Sequence, residues 1–271
     1  MKYLEYTPLA RVKAFLDFVD AGEYVLKGDL EAYSCGWMRH APLDRSRASV
    51  HPSLSPSPAS RAGKLAGVDK KLSRSLDQEV VSALAESPQF LSASPVGPMQ
   101  DAASRKTLIY LILTLNHMYP DYDFSNLRPH HFLHVTPQMA KTNIDNLMME
   151  ASRVWERSHN MGSPSGTSGL LESLWTAVEE VITIADCEIY VYNSDDPEGD
   201  IFGERGSIWN FNYFFYNRKL KRILYFSCAA KSRVVAGQEM LGKRGASSDD
   251  ETSQYNTDDE DLAGDMDMDE E

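Results

Sequence analysis

Side chains able to do chemistry are sparse in this sequence, and most of them lack the partners that the chemistry needs. His130, His131 and His134 have a spacing that invites a metal, but no Cys or acid lies near them to complete a ligand set, so they read as loop histidines. Asp195, Asp196, Glu198 and Asp200 resemble a calcium loop in charge only. Their Gly is at the wrong offset and no distal Glu closes the set. Cys35, Cys187 and Cys228 form no CxxC pair, and Asp186 and Glu188 beside Cys187 supply no matched base for a thiol nucleophile. Phosphate-cradling Gly loops, HExxH and a nucleophile elbow are all missing. The expectation is a non-enzyme with no catalytic residue, no metal and no cofactor.

Two groups of residues suggest binding or regulation instead. Arg218, Lys219, Lys221 and Arg222 place four cations within five positions. They can be a solvated turn, half of a nuclear import signal, or a docking surface for an acidic protein or nucleic acid. Arg45-x-Arg47-x-Ser49 and Lys70-Lys71-Leu72-Ser73 set a serine two residues after basic ones, the pattern that basophilic kinases read. Ser49 and Ser73 are therefore the leading phosphorylation candidates, with Ser46 and Ser75 as neighbours.

The cations sit inside the stretch that organises the chain, SIWNFNYFFYNRKLKRILYFSC from Ser207 to Cys228. Large apolar residues alternate on both sides of Asn217, which is strand periodicity with two faces to bury. The spacing predicts a long antiparallel hairpin, central in its sheet, turning tightly at Asn217-Arg218 because Asn tolerates positive φ.

The elements that must position it follow in chain order. Lys2 to Tyr6 is a strand candidate. Thr7-Pro8 reads as an N-cap and first helical residue, followed by Leu9, Val12, Phe15, Leu16 and Val19 at helical spacing, with Gly22 to close the helix. Tyr24 to Cys35 switches to period two, with Leu26, Gly28, Leu30 and Ala32 opposed to a wet face of Lys27, Asp29 and Glu31. From Ser104, as N-cap, SRKTLIYLILTLN is apolar almost all round and reads as a buried helix. Asp121 to Val135 is a loop with aromatic anchors, and Thr136-Pro137 repeats the helix start. Leu171 to Ile182 forms a further amphipathic helix and Cys187 to Tyr192 a strand. The expected class is α+β, a single mostly antiparallel sheet of about five strands covered by helices.

Composition divides the chain further. Of the net charge of −13, residues 245–271 carry twelve acids and no base, so the remainder is nearly neutral. Residues 40–99 are rich in Ser and Pro, with SPSP at Ser55 to Pro58, and lack the apolar density to offset ordering entropy. The expected organisation is one discontinuous domain from 1–38 and 100–235, a disordered regulatory insert at 40–99 and a disordered acidic tail at 245–271. No apolar run approaches the roughly 20 residues of a membrane span. Met1 to Tyr6 has no apolar core to follow it, and a cytosolic or nuclear protein is expected.

Three blocks together resemble the eukaryotic Maf-type repressor of RNA polymerase III. They are MKYLE with GDLEAYSC (Gly28 to Cys35); SRKTLIYLILTLN with PDYDFS and LWTAVEEVITIADCEIYVYN; and FGERGSIWNFNYFFYNRKLKRILYFSC (Phe202 to Cys228). The resemblance implies a repressor that binds RNA polymerase III near its clamp and winged-helix subunits. It would block engagement with the TBP-containing initiation factor, itself a further candidate partner. It also implies control by kinases and phosphatases, with phosphorylation favouring the cytoplasm and dephosphorylation the nucleus, and no need for direct nucleic-acid contact. The other class is a sheet-based RNA-binding module using Trp209, Tyr213 and the basic tip, which would need exposed rings for base stacking.

Overall fold

A strand pair with bulky residues on both sides must be covered twice, and the fold is built to do so. The computed structural model describes residues 1–35, 67–78, 94–159, 169–193, 202–203 and 206–237. Strands β6 (Ser207–Asn217) and β7 (Arg222–Ser232) form the hairpin, in register from Asn217↔Arg222 past Phe211↔Cys228. Phe211, Tyr213, Phe215, Leu224 and Phe226 enter one core, whereas Phe214, Tyr216, Ile223 and Tyr225 enter the other.

Around the pair runs a seven-stranded sheet with every pairing antiparallel. Its order is β1 (Lys2–Leu4), β3 (Tyr24–Ser34), β7, β6, β5 (Glu188–Tyr192), β4 (Phe132–Val135), with β2 (Val19–Asp20) also on β3. The first face is covered by α1 (Thr7–Leu16), α4 (Pro137–Leu147), α5 (Met149–His159) and α6 (Leu170–Ile182). The second face is covered by α3 (Ala102–Met118) and by α2, the helical residues 67–78. This is an α+β fold, a helix layer on each side of an antiparallel sheet.

Strand β3 pairs with β7 along its whole length, Tyr24↔Ser232 to Ser34↔Arg222, so the N-terminal segment is the third strand of the central sheet. Gly28 sits where α1 comes closest: a Cβ there would lie 3.2 Å from Leu16 Cβ and 3.2 Å from the Ser227 carbonyl. Strands β1 and β2 pair with the ends of the outer edge of β3 and leave Lys27 to Glu31 between them. Past this open edge Lys13 of α1 reaches Asp29 Oδ1 at 2.7 Å and also bonds Glu31, which in turn accepts the Tyr33 hydroxyl.

Burial alone would push the Lys13 ammonium down. Its hydrogen bonds to the two carboxylates outweigh that and hold it above its ordinary 10.5. The Asp29 carboxyl is raised, chiefly by burial, with Lys13 pulling the other way. With Asp29 ionised, the pair contributes fully below the ordinary Lys value and is lost as pH climbs through the raised one. Ionised Asp29 is a cost that disappears at acid pH. Lys13→Met is expected to lose on the order of 1–2 kcal/mol near neutrality, allowing for partial exposure. In urea melts across pH, the deficit should shrink as pH falls through the Asp29 titration; a constant deficit would contradict this account.

Several local expectations are corrected. Tyr6, not Thr7, is the N-cap of α1, and no side chain caps it. The helix ends at Leu16, Val19 enters β2, and Gly22 (φ +95°) turns β2 into β3 rather than closing the helix. Helix α3 starts after Asp101, and Ser104 is buried inside its first turn. Thr136 does cap α4, accepting the Met139 amide at 3.2 Å. Strands β2 and β4 were not foreseen, which raises about five strands to seven. The expectation of disorder across 40–99 does not hold at 67–78 and 94–99, where Leu72, Leu76, Val96 and Met99 are buried in the second core. Two adjacent apolar spots at a spacing of four are enough to seat a helix that composition averages away. Residues 40–66, 79–93 and 245–271 lie outside the described residues.

Candidate functional site

The hairpin tip is held from below by an asparagine. Asn217 is fully buried; its Nδ2 donates to the Ile182 carbonyl at 2.8 Å, and its Oδ1 accepts the Leu220 amide at 2.9 Å. It fastens the tip to the end of α6 and shapes a four-residue connection, 218–221, in place of the expected tight turn. Positive φ falls on Lys221 (+52°), not on Asn217. The Lys221 carbonyl accepts the Cys35 amide at 2.8 Å, so the chain just past β3 and the tip meet at one end of the sheet.

The four cations differ once placed. Arg218 Nε donates to Glu188 Oε2 at 2.9 Å, and its Nη2 to Thr107 Oγ1 at 3.3 Å. Lys219 Nζ bonds Asp186 Oδ1 at 2.8 Å, with its side chain 75% exposed. Arg222 turns inward: Nη1 donates to the Val181 carbonyl at 2.8 Å, and its guanidinium lies 5.9 Å from the Tyr6 ring centroid. Lys221 is exposed, beside an exposed Leu220. Arg222 is thus part of the framework, whereas Arg218, Lys219, Leu220 and Lys221 form the outward surface. Glu188 at the start of β5 and Asp186 on the 3-10 turn just before it, the two acids flanking Cys187, are the counter-ions of Arg218 and Lys219.

The other candidates are scattered. The His130 and His131 rings lie with centroids 4.2 Å apart, tilted by 36°, and His131 Nδ1 accepts the Arg128 amide. Among the described residues no group of three His, Cys, Asp or Glu is placed to hold a metal ion. Burial pushes the thiols of Cys35, Cys187 and Cys228 up to about 12, which keeps them protonated and poorly nucleophilic near neutrality. The acidic loop from Asp195 to Asp200 lies outside the described residues, as do Ser46 and Ser49. Ser73 and Ser75 are on α2, the first half-buried and the second exposed.

The aromatics of the hairpin are not a stacking platform. Tyr213 is 4% exposed under α4, its hydroxyl accepting Asn143 Nδ2 at 2.8 Å, and Trp209 is half-buried against the first core. Bases stack on open rings, and these rings are spent on packing. Among the described residues no helix is long and apolar enough to cross a membrane.

Comparison with known proteins gives one answer from three directions. Residues 26–227 match the family model described as "Maf1 regulator". The Dictyostelium discoideum "Repressor of RNA polymerase III transcription" is 29% identical over 284 residues, covering 86% of this chain and 86% of its own. The Schizosaccharomyces pombe "Repressor of RNA polymerase III transcription maf1" is 29% identical over 252 residues, covering 89% and 88%. A crystal structure of citrus MAF1 aligns with TM-score 0.56 and 38% identity, covering 84% of this chain and all of that one.

Proposed function

The chain belongs to the Maf1 regulator family, and from that premise we propose that it represses transcription by RNA polymerase III. The observation that carries this is the extent of the family match, 26–227, which takes in most of β3, the helices of both layers apart from α1, and nearly all of the hairpin. Repression proceeds by binding the polymerase near its clamp and winged-helix subunits, so that it cannot engage the TBP-containing initiation factor. Steric exclusion asks only for a rigid body and a docking surface.

Control comes from phosphate on the segment between β3 and α3, at Ser46, Ser49, Ser73 and Ser75, each adding about −1.5 to −2 charge. Kinases hold the modified protein in the cytoplasm, and phosphatases return it to the nucleus. The docking surface includes the outward tip of Arg218, Lys219 and Lys221, with Arg222 supporting it from within.

Binding of native RNA polymerase III to the immobilised, dephosphorylated protein tests the reading. Polymerase should be retained, and the phosphorylated protein should retain less; no retention of polymerase by folded protein would refute it. The triple variant Arg218→Ala, Lys219→Ala, Lys221→Ala should retain less polymerase than the parent, with a flatter dependence on salt. Its melting temperature should move by only a few degrees, because the two exposed ion pairs it loses contribute under about 1 kcal/mol each. Equal retention by parent and variant at every ionic strength would remove the tip from the docking surface.

A further inference from the structure

The sheet has two outer edges, and they are finished differently. At one, β1 and β2 pair along β3, and Lys13 of α1 reaches past the gap between them. At the other, β4 ends the sheet: among the described residues no strand pairs with its outer side. The Asn193 amide donates to the His131 carbonyl at 2.8 Å, one step beyond the pair Phe132↔Tyr192. In an antiparallel ladder such bonded pairs alternate, so Leu133 and Val135 also bond inward to β5. Phe132 and His134 therefore turn their main-chain groups outward. The Phe132 amide donates to the Pro129 carbonyl of the preceding 3-10 turn. The remaining outward groups are the Phe132 carbonyl and the amide and carbonyl of His134.

Side chains flanking these groups alternate in kind. Leu133 is 47% exposed on the first face, where Val191 lies across from it, and Met139 in the first turn of α4 is 61% exposed. His134 is exposed on the second face, its ring centroid 5.3 Å from that of Tyr190. The segment 128–135 that forms the edge carries Arg128, His130, His131 and His134 and no acid. Pro129 and Pro137 bound the main chain that can pair, so an added strand is about four residues long.

We infer that the outer side of β4 receives an extended segment of another protein in which acidic and apolar residues alternate. Main-chain bonding supplies attachment and the side chains supply selection, as in strand addition generally. The residue opposite His134 exchanges two bonds with it and sets an acidic side chain beside the imidazole. The residue opposite Leu133 falls on the other face and lays an apolar side chain against Leu133, on the side where Met139 is exposed. A second copy of this chain is the wrong occupant. Pairing β4 with itself would put Arg and His against Arg and His, like charges that repel. A nucleic-acid strand would meet the charge, but it has no amide ladder to match the outward groups of Phe132 and His134. The inference stands apart from the repressor reading, and its test needs no polymerase.

The test is titration of the full chain with two synthetic peptides, TDVDVDT and its sign-reversed counterpart TKVKVKT. Binding is followed by anisotropy of the labelled peptide and by hydrogen exchange of the His134 amide, read by NMR. The acidic peptide should bind and slow that amide, and the basic one should do neither. His134→Glu, which sets an acid at an exposed position, should weaken the acidic peptide about tenfold or more. Leu133→Ser should weaken it as well, and both variants should melt within a few degrees of the parent. Methylation of the peptide amides that face β4 should abolish binding, whereas charge attraction alone would survive it. Unchanged binding by His134→Glu or by the methylated peptide would overturn the proposal, as would equal binding of the two peptides. So would an unslowed His134 amide in excess acidic peptide. Protection of His134 in the peptide-free protein gives the edge to another occupant and also overturns it. That occupant is a second copy if dilution releases the amide, and the chain's own acidic residues if ending the chain at residue 244 does.

Discussion

A chain lacking residues 1–35 is expected to lose cooperative thermal unfolding altogether. The segment supplies β3, which sits between β7 and the short edge strands and pairs with β7 at eleven positions. It also supplies Leu9, Val12, Leu16, Val19, Leu26, Leu30 and Tyr33, all buried. At about 1.5–3 kcal/mol for each large apolar side chain, their loss is on the order of 10–20 kcal/mol. A whole domain has only about 5–15 kcal/mol to lose. The edge of β7 would in addition be left without its partner, an invitation to aggregate. Calorimetry of the truncated chain decides: no cooperative transition is expected, and a transition at the full-length temperature would show that the N-terminal segment is not integral to the fold.

The second large effect is at Phe214. Its side chain is wholly buried at the middle of β6, with ring centroids 5.8 Å from Phe132 on β4 and 5.0 Å from Tyr225 on β7. It thus links the two outermost strands on one side to the central hairpin. Phe214→Ala removes the ring and leaves a cavity between aromatic walls that cannot collapse without moving strands. The expected cost is about 3–5 kcal/mol, and at roughly 2–4 °C per kcal/mol for a domain of this size the melting temperature should fall by about 6–20 °C. Trp209, half-buried at the start of the same strand, provides the control: Trp209→Ala should cost clearly less. Equal losses at the two positions would mean that the second core is not packed around Phe214.

How much of this was legible beforehand depended on how strong each local signal is. The hairpin was plain because alternation over more than twenty residues leaves a single periodicity. The strand character of Tyr24–Cys35 is equally plain from its period of two, and its pairing with β7 gives its apolar face a covered sheet to join. Strand β4 has only four residues, too few to establish a period that separates it from a loop. Phe132 was recognised only as an anchor, and its place opposite Tyr192 depends on β5, about sixty residues later. Helix α2 was hidden by its surroundings: Leu72 and Leu76 lie in a segment whose average is Ser- and Pro-rich, and only the core of α3 gives them something to bury against.

The tip shows the same limit from the side of function. Four cations in five positions can be counted in the sequence, but the inward place of Arg222 shows only in its bond to the Val181 carbonyl. That Glu188 meets Arg218 follows from the β5–β6 register, and Asp186 reaches Lys219 from the 3-10 turn Ile184–Asp186 just before β5; single-strand patterns carry neither. Asn217 has the residue type of a turn former and serves instead as a buried clasp to α6.

The most direct test of the repressor reading is transcription in a reconstituted system of purified RNA polymerase III, its initiation factors and a polymerase III template. The dephosphorylated full chain, added before the polymerase meets the initiation factors, should reduce transcript yield with rising concentration. RNA polymerase II assayed with its own factors should be unaffected. Undiminished polymerase III output at saturating amounts of folded protein would contradict the account.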